Sequence, residues 1–91
     1  MKALHLFIAG RVQGVGFRDW LVRTATAAGL QGWVRNRADG RVEALLAGPP
    51  EAVDSVLAAC HAGPRAARVT DIQAVPAEPP AEPGFRWLPT A

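Results

Sequence analysis

Within the stretch GRVQGVGFRDW, residues 10–20, the glycines Gly14 and Gly16 lead up to an arginine, Arg18. Such residues can hold an anion if a strand leads in and a helix leads out. The first N–H groups of a helix have no intrahelical acceptor, and the helix dipole adds partial positive charge at that end. Glycines allow the backbone turns and the close approach to a ligand that side chains would block. A guanidinium adds a planar fork of donors that matches two oxygens of a phosphate. A cation at a helix N-terminus is itself unfavourable by about a few tenths of a kcal/mol, a conflict that a bound anion resolves. No third glycine follows at the dinucleotide-binding spacing, and there is no Gly-Lys-Ser/Thr of a nucleotide-triphosphate loop, so the anion would be small. Taken by itself, the loop can also be read as a glycine-containing connection that leaves an arginine exposed.

Other chemistry finds less support. The one serine, Ser55, has no nucleophile-elbow sequence around it, and His5 and His61 lie far apart, one in a strand-like run and one at a helix end. Asp19 is a conceivable general base, although a carboxylate in the first turn of a helix ordinarily serves the dipole. The lone Cys60 can neither form an internal disulfide nor assemble a zinc site, and is expected to be a buried thiol. No metal site or cofactor is expected. The net charge of +2, almost all from arginine because Lys2 is the only lysine, mildly favours anionic partners. The basic residues are too scattered to argue for nucleic acid. A chain of 91 residues, 49% hydrophobic and 20% charged, is expected to form one domain, residues 1–91. With no apolar run long enough to cross a bilayer, no membrane association is expected and the cytoplasm is the default compartment.

The elements that would position the loop follow from periodicity. Leu4, Leu6 and Ile8 alternate with His5, Phe7 and Ala9, as in a strand with one strongly apolar face. Phe17, Trp20, Leu21, Ala25 and Ala28 recur at helical spacing up to a stop at Gly29. Two β-rich runs, 31–37 and 41–47, flank Asp39-Gly40 and are expected to pair as an antiparallel hairpin. A second helix starts at Pro49-Pro50, ends before Gly63-Pro64, and buries Val53, Val56, Leu57 and Cys60. A strand in ARVTDIQAV, a surface loop in PAEPPAEPG and a short last strand in FRWL complete the chain. The order predicts an α+β, ferredoxin-like split β-α-β (βαββαβ) sandwich: an antiparallel sheet, both helices on one face, and a short extra strand at the end. Trp20 and Trp33 fit the core or a pocket wall, whereas Trp87 belongs to the last strand.

GRVQGVGFR and, further on, GWVRNRADGRVEALLAG closely resemble the two signature segments of the acylphosphatase family, and the resemblance runs on to the closing GFRWLP. It implies hydrolysis of the carboxyl-phosphate anhydride of an acyl phosphate to a carboxylate and inorganic phosphate. It further implies that the phosphate is held by Arg18 with the backbone N–H groups of the loop Gln13, Gly14, Val15, Gly16 and Phe17, and that Asn36 orients the attacking water. Inorganic phosphate, as product, is then also a competitive inhibitor, and nothing demands more than a monomer.

An acyl phosphate is already activated, so a catalyst need only neutralise phosphoryl charge and align a water, work within reach of an arginine and a neutral amide. Side chains alternate along a strand, so Asn36 can face the loop while Arg35 and Arg37 point away. A non-catalytic anion-binding or regulatory module, similar to the leading domain of larger hydrogenase-maturation proteins, is the alternative. A ferredoxin-like nucleic-acid binder is more distant, for want of paired aromatics on a central strand.

Overall fold

The computed structural model describes residues 1–91. The alternating run becomes strand β1 (Lys2–Arg11), which the glycine loop joins to helix α1 (Phe17–Ala27). Strands β2 (Gln31–Asn36) and β3 (Val42–Gly48), helix α2 (Pro50–Cys60) and strands β4 (Arg68–Pro76) and β5 (Phe85–Trp87) follow. One sheet, in the order β4-β1-β3-β2-β5, contains every strand. Both helices pack on the face to which Leu4, Leu6 and Ile8 point, burying Phe17, Leu21 and Ala25 from α1 and Val53, Val56 and Cys60 from α2. Trp20, Ala28 and Leu57, expected in the buried stripes, are half-buried at their margins. Cys60 is fully buried, and burial pushes its thiol up to about 12.

The four longer strands pair antiparallel as expected, but β5 runs parallel to β2, so the sheet is mixed. The cause is the route of the chain. β4 ends beside Leu4, at the end of the sheet where β2 begins, and the loop 77–84 carries the chain to the opposite edge along that same end. The hairpin also differs in detail. Arg37 N–H donates to Arg41 C=O at 2.8 Å and Gly40 N–H to Arg37 C=O at 3.1 Å, which leaves a three-residue loop of Ala38, Asp39 and Gly40. Of Asp39 and Gly40 only the glycine has positive φ, as in a type I turn closed by a bulge rather than a two-residue turn.

Register decides what each face carries. Leu6, Ala44 and Val34 lie in line across β1, β3 and β2, and so do Ile8, Val42 and Asn36. Asn36 therefore belongs to the helix-covered face, at the end of the sheet where β1 runs into the loop. The intervening residues form the face without helices. There Glu43 is only 3% exposed, because long side chains from the flanking strands lie over it. Its carboxylate accepts from His5 Nε2 at 2.6 Å, Arg35 Nε at 2.8 Å and an Arg37 terminal nitrogen at 2.9 Å. His5 stacks on Phe7, and the guanidinium of Arg35 lies over the ring of Trp33.

Burial alone would push the Glu43 carboxyl up, and hydrogen bonds from Arg35, His5 and Arg37 more than offset it, holding the group at about 2 against an ordinary 4.5. The stability this contributes is present above pH 4.5 and is lost as pH falls toward 2. Glu43→Gln should therefore cost about 1–3 kcal/mol at neutral pH. Urea titrations should show the wild-type advantage shrinking through that acid window, and a difference that persists undiminished at its lower end would disprove the assignment.

Candidate active site

Beyond β1 the chain turns through Gly14 (φ 71°) and Gly16 (φ 80°), left-handed conformations that L residues rarely adopt. Side-chain bulk is not the reason for glycine here, since a Cβ at either position would meet nothing within 4 Å. Gly16 is the N-cap of α1 and provides no side-chain cap. The N–H groups of Gln13, Gly14, Val15 and Gly16 donate to no backbone carbonyl. A row of unpaired donors thus leads into the positive end of a helix, the arrangement that receives an anion.

Gly14 and Gly16 border a cleft of about 130 Å³, whose lining also includes Val12, Phe17, Arg18, Asp19, Asn36 and Trp87. It is smaller than the clefts that take drug-sized ligands, in keeping with a small anion. Arg18 pairs with no carboxylate, and its guanidinium carbon sits 4.8 Å from the centre of the Trp87 ring. Asn36 shares this lining, and its Oδ1 is buried and has no hydrogen-bond partner. Buried acceptors are ordinarily satisfied, so this oxygen marks a place where a donor belongs. The Asn36 backbone is held firmly, its C=O accepting from Ala91 N–H at 3.0 Å.

The cleft thus gathers Gly14, Gly16, Phe17, Arg18 and Asn36 of the expected site. Gln13 and Val15 are not part of its lining. Gln13 Nε2 instead donates to the carbonyls of Arg37 and Arg41 at 2.8 and 2.9 Å, tying the loop to the hairpin that carries Asn36. The Val15 side chain packs against the core. Arg35 and Arg37 lie on the far face, as alternation requires, and Ser55, His5 and His61 all lie away from the cleft.

Of the two tryptophans expected in the core or at a pocket wall, Trp20 packs edge-on against Phe17 at the core margin, whereas Trp33 contacts His5 on the opposite face. The wall is Trp87. Its side was readable from alternation with the buried Phe85, but its neighbour was not, because the β2–β5 pairing (Val34 opposite Trp87) joins segments far apart in sequence. Val12 and Asp19 also border the cleft, and Asp19 stands in the first turn of α1, where its charge suits the dipole.

The sequence matches the profile of the acylphosphatase family over residues 4–87, a span that includes the loop, Asn36 and Trp87. The chain belongs to the acylphosphatase family. It is 62% identical over 85 residues to an acylphosphatase of Acidiphilium cryptum, with 93% of each chain aligned. It is 53% identical over 90 residues to one of Rhodospirillum rubrum, with 99% of each covered. The crystal structure of an acylphosphatase from Bacillus subtilis matches the fold with a TM-score of 0.91 at 38% identity, covering 97% of this chain and 99% of that one. Similarity to acylphosphatases therefore extends over the whole fold, from β1 to β5.

The free space around Gly16 makes a clean test of the loop. Gly16→Ala adds no clash and is penalised only through φ, by about 1–2 kcal/mol. Chemical denaturation should register that loss together with weaker phosphate binding, and D-alanine introduced by chemical synthesis, which favours positive φ, should restore both. A D-alanine protein as impaired as the L-alanine one would contradict this account of the loop.

Proposed function

We propose that the chain hydrolyses acyl phosphates, with the phosphate held by Arg18 and the N–H groups of the loop from Gln13 to Arg18, and the water oriented by Asn36. One observation carries the reading: a single small cleft is lined by an unpaired guanidinium and loop glycines with unpaired N–H donors, and also by Asn36, whose side-chain oxygen has no hydrogen-bond partner. The first group suits phosphoryl oxygens, and the second suits a water. Asn36 Oδ1 accepts one O–H of that water, leaving the oxygen lone pair directed at phosphorus. The new P–O bond forms as the bond to the acyl oxygen breaks, and that electron pair leaves on the carboxylate. A carboxylic acid titrates near about 4, so the leaving group departs as an anion at neutral pH without a general acid. A non-bridging phosphoryl oxygen takes the water's proton.

Charge that spreads over the equatorial oxygens in the transition state falls on donors already in place, so little reorganisation is needed as the reaction proceeds. No group of three or more His, Cys, Asp or Glu side chains converges to hold a metal ion. All the groups invoked come from one chain, so a monomer suffices. No helix is long and apolar enough to cross a membrane.

Benzoyl phosphate should be hydrolysed at an undiminished rate after EDTA treatment, with inorganic phosphate a competitive inhibitor. Activity that vanished with chelator and returned with one divalent ion would overturn the metal-free mechanism, and purely noncompetitive inhibition would place phosphate elsewhere.

The two principal residues should fail differently. Arg18→Ala removes a charge-assisted fork worth about 1.5–3 kcal/mol, so phosphate affinity should fall about 10- to 100-fold along with turnover. Arg18→Lys should rescue little, because a point charge cannot make two parallel contacts. Asn36→Ala should lose about a hundredfold or more in kcat, yet bind phosphate within a few-fold of wild type, as when an interaction made mainly in the transition state is deleted. Calorimetry with phosphate beside benzoyl phosphate kinetics distinguishes the two patterns. Near-normal turnover by Asn36→Ala would remove the water-orienting role and direct attention to Asp19.

A further inference from the structure

The cleft has a second part that the reaction itself does not use. Three of its lining side chains are apolar, but Val12 and Phe17 are each only 1% exposed and serve as floor. Trp87 is 50% exposed. The exposed large apolar residues are Met1, Val75 and Trp87, and Trp87 is the one that borders the cleft. Its position is fixed. β5 pairs with β2 so that Trp87 stands opposite Val34, and Leu88 N–H donates to Val34 C=O at 2.9 Å just beyond it. Arg18 lies over the ring, which places the indole one group away from the phosphate that Arg18 is assigned to hold.

From these positions we propose that Trp87 determines acyl-group specificity, offering its exposed indole surface to the group attached to the phosphorylated carboxyl and favouring flat aromatic acyl phosphates over small ones. The proposal rests on the acyl phosphate hydrolase reading above. Val12 and Phe17 are buried, so the accessible apolar surface in the lining that an acyl substituent could cover is the indole. An aryl ring laid against Trp87 removes apolar surface of both partners from water and gains offset or edge-on contact between rings. An acetyl group presents one methyl and covers little of it. The Arg18 contact on the ring is compatible with this role, since a guanidinium stacks on one part of an indole while leaving the rest free.

The test compares kcat/KM for benzoyl phosphate and acetyl phosphate in the wild-type chain and in Trp87→Ala, Trp87→Leu and Trp87→Phe. Because Trp87 also touches Arg18, both substrates can slow, and the informative quantity is their ratio. The benzoyl-to-acetyl preference should fall roughly tenfold in Trp87→Ala and stay within about threefold of wild type in Trp87→Phe. Trp87→Leu retains apolar bulk against the sheet, so it stands in if the alanine variant fails to unfold cooperatively, and it too should lose preference. Competitive inhibition by benzylphosphonate and methylphosphonate should show the same shift without turnover. Equal losses on both substrates would reduce Trp87 to a support for Arg18 and overturn the proposal, as would an unchanged ratio. A wild-type chain that hydrolyses neither compound would overturn the hydrolase reading itself, and the specificity role with it.

Discussion

Three strands must share one register for this site to exist. Ile8, Val42 and Asn36 stand side by side across β1, β3 and β2, and the loop that leaves β1 begins a few residues beyond that line. The side-chain period of a strand is two, so a slip of one residue in the β2–β3 hairpin would transfer Asn36 to the opposite face and bring Arg35 or Arg37 toward the core. The hairpin's three-residue loop and the hydrophobic alternation of both strands act together against that slip. Gln13 adds a restraint from the other side, donating to two hairpin carbonyls from within the glycine loop. The positions of Arg18 and Asn36 relative to one another thus depend on backbone pairing several residues away from either.

The two faces of the sheet treat polar groups in opposite ways. On the face without helices, Glu43 is surrounded by three donors, and Asp39 is paired with Arg41 through its side chain and backbone N–H. Above the helix-covered face, one cleft is lined by Gly14 and Gly16, whose N–H groups donate to no carbonyl, by Arg18, which pairs with no carboxylate, and by Asn36, whose Oδ1 has no hydrogen-bond partner. An unpaired arginine at a helix N-terminus and an unpaired buried acceptor each cost stability. Concentrating them in one place is how a folded chain keeps binding capacity for something other than itself, and the tightly paired opposite face, together with the core buried beneath the helices, offsets that cost.

Much of this was legible along the chain because local physics produced it. Period-two alternation placed β1 and period-3.6 spacing placed α1 and α2, and alternation around Asn36 correctly separated it from Arg35 and Arg37. The glycine loop was readable because its conformation depends on consecutive residues. What escaped depends on distant partners. Neither the parallel direction of β5 nor the seat of Trp87 beside Arg18 follows from FRW alone, since both arise from where the loop 77–84 delivers the chain. The burial of Glu43 was equally hidden, because a glutamate in a strand reads as solvent-facing until His5 and two arginines are seen to close over it. Trp20 and Trp33 show the same limit: their apolar character was evident, but which surface each would cover was not.

The pairing of the last residues with β2 also bears on how the protein folds. Gly32 N–H donates to Gly84 C=O, and Ala91 exchanges hydrogen bonds with Asn36 C=O and Ala38 N–H, so the hairpin meets a segment separated from it by α2, β4 and the loop beyond. Contacts of such long sequence separation require closure of a large loop, and the entropy of that closure must be overcome before they return any stability. The hairpin and the β1–β3 pair close shorter loops. The wall of the cleft and the brace on Asn36 therefore belong to a non-local part of the topology, and a chain still lacking β5 would keep its glycine loop while leaving Arg18 uncovered and the backbone of Asn36 free on one side.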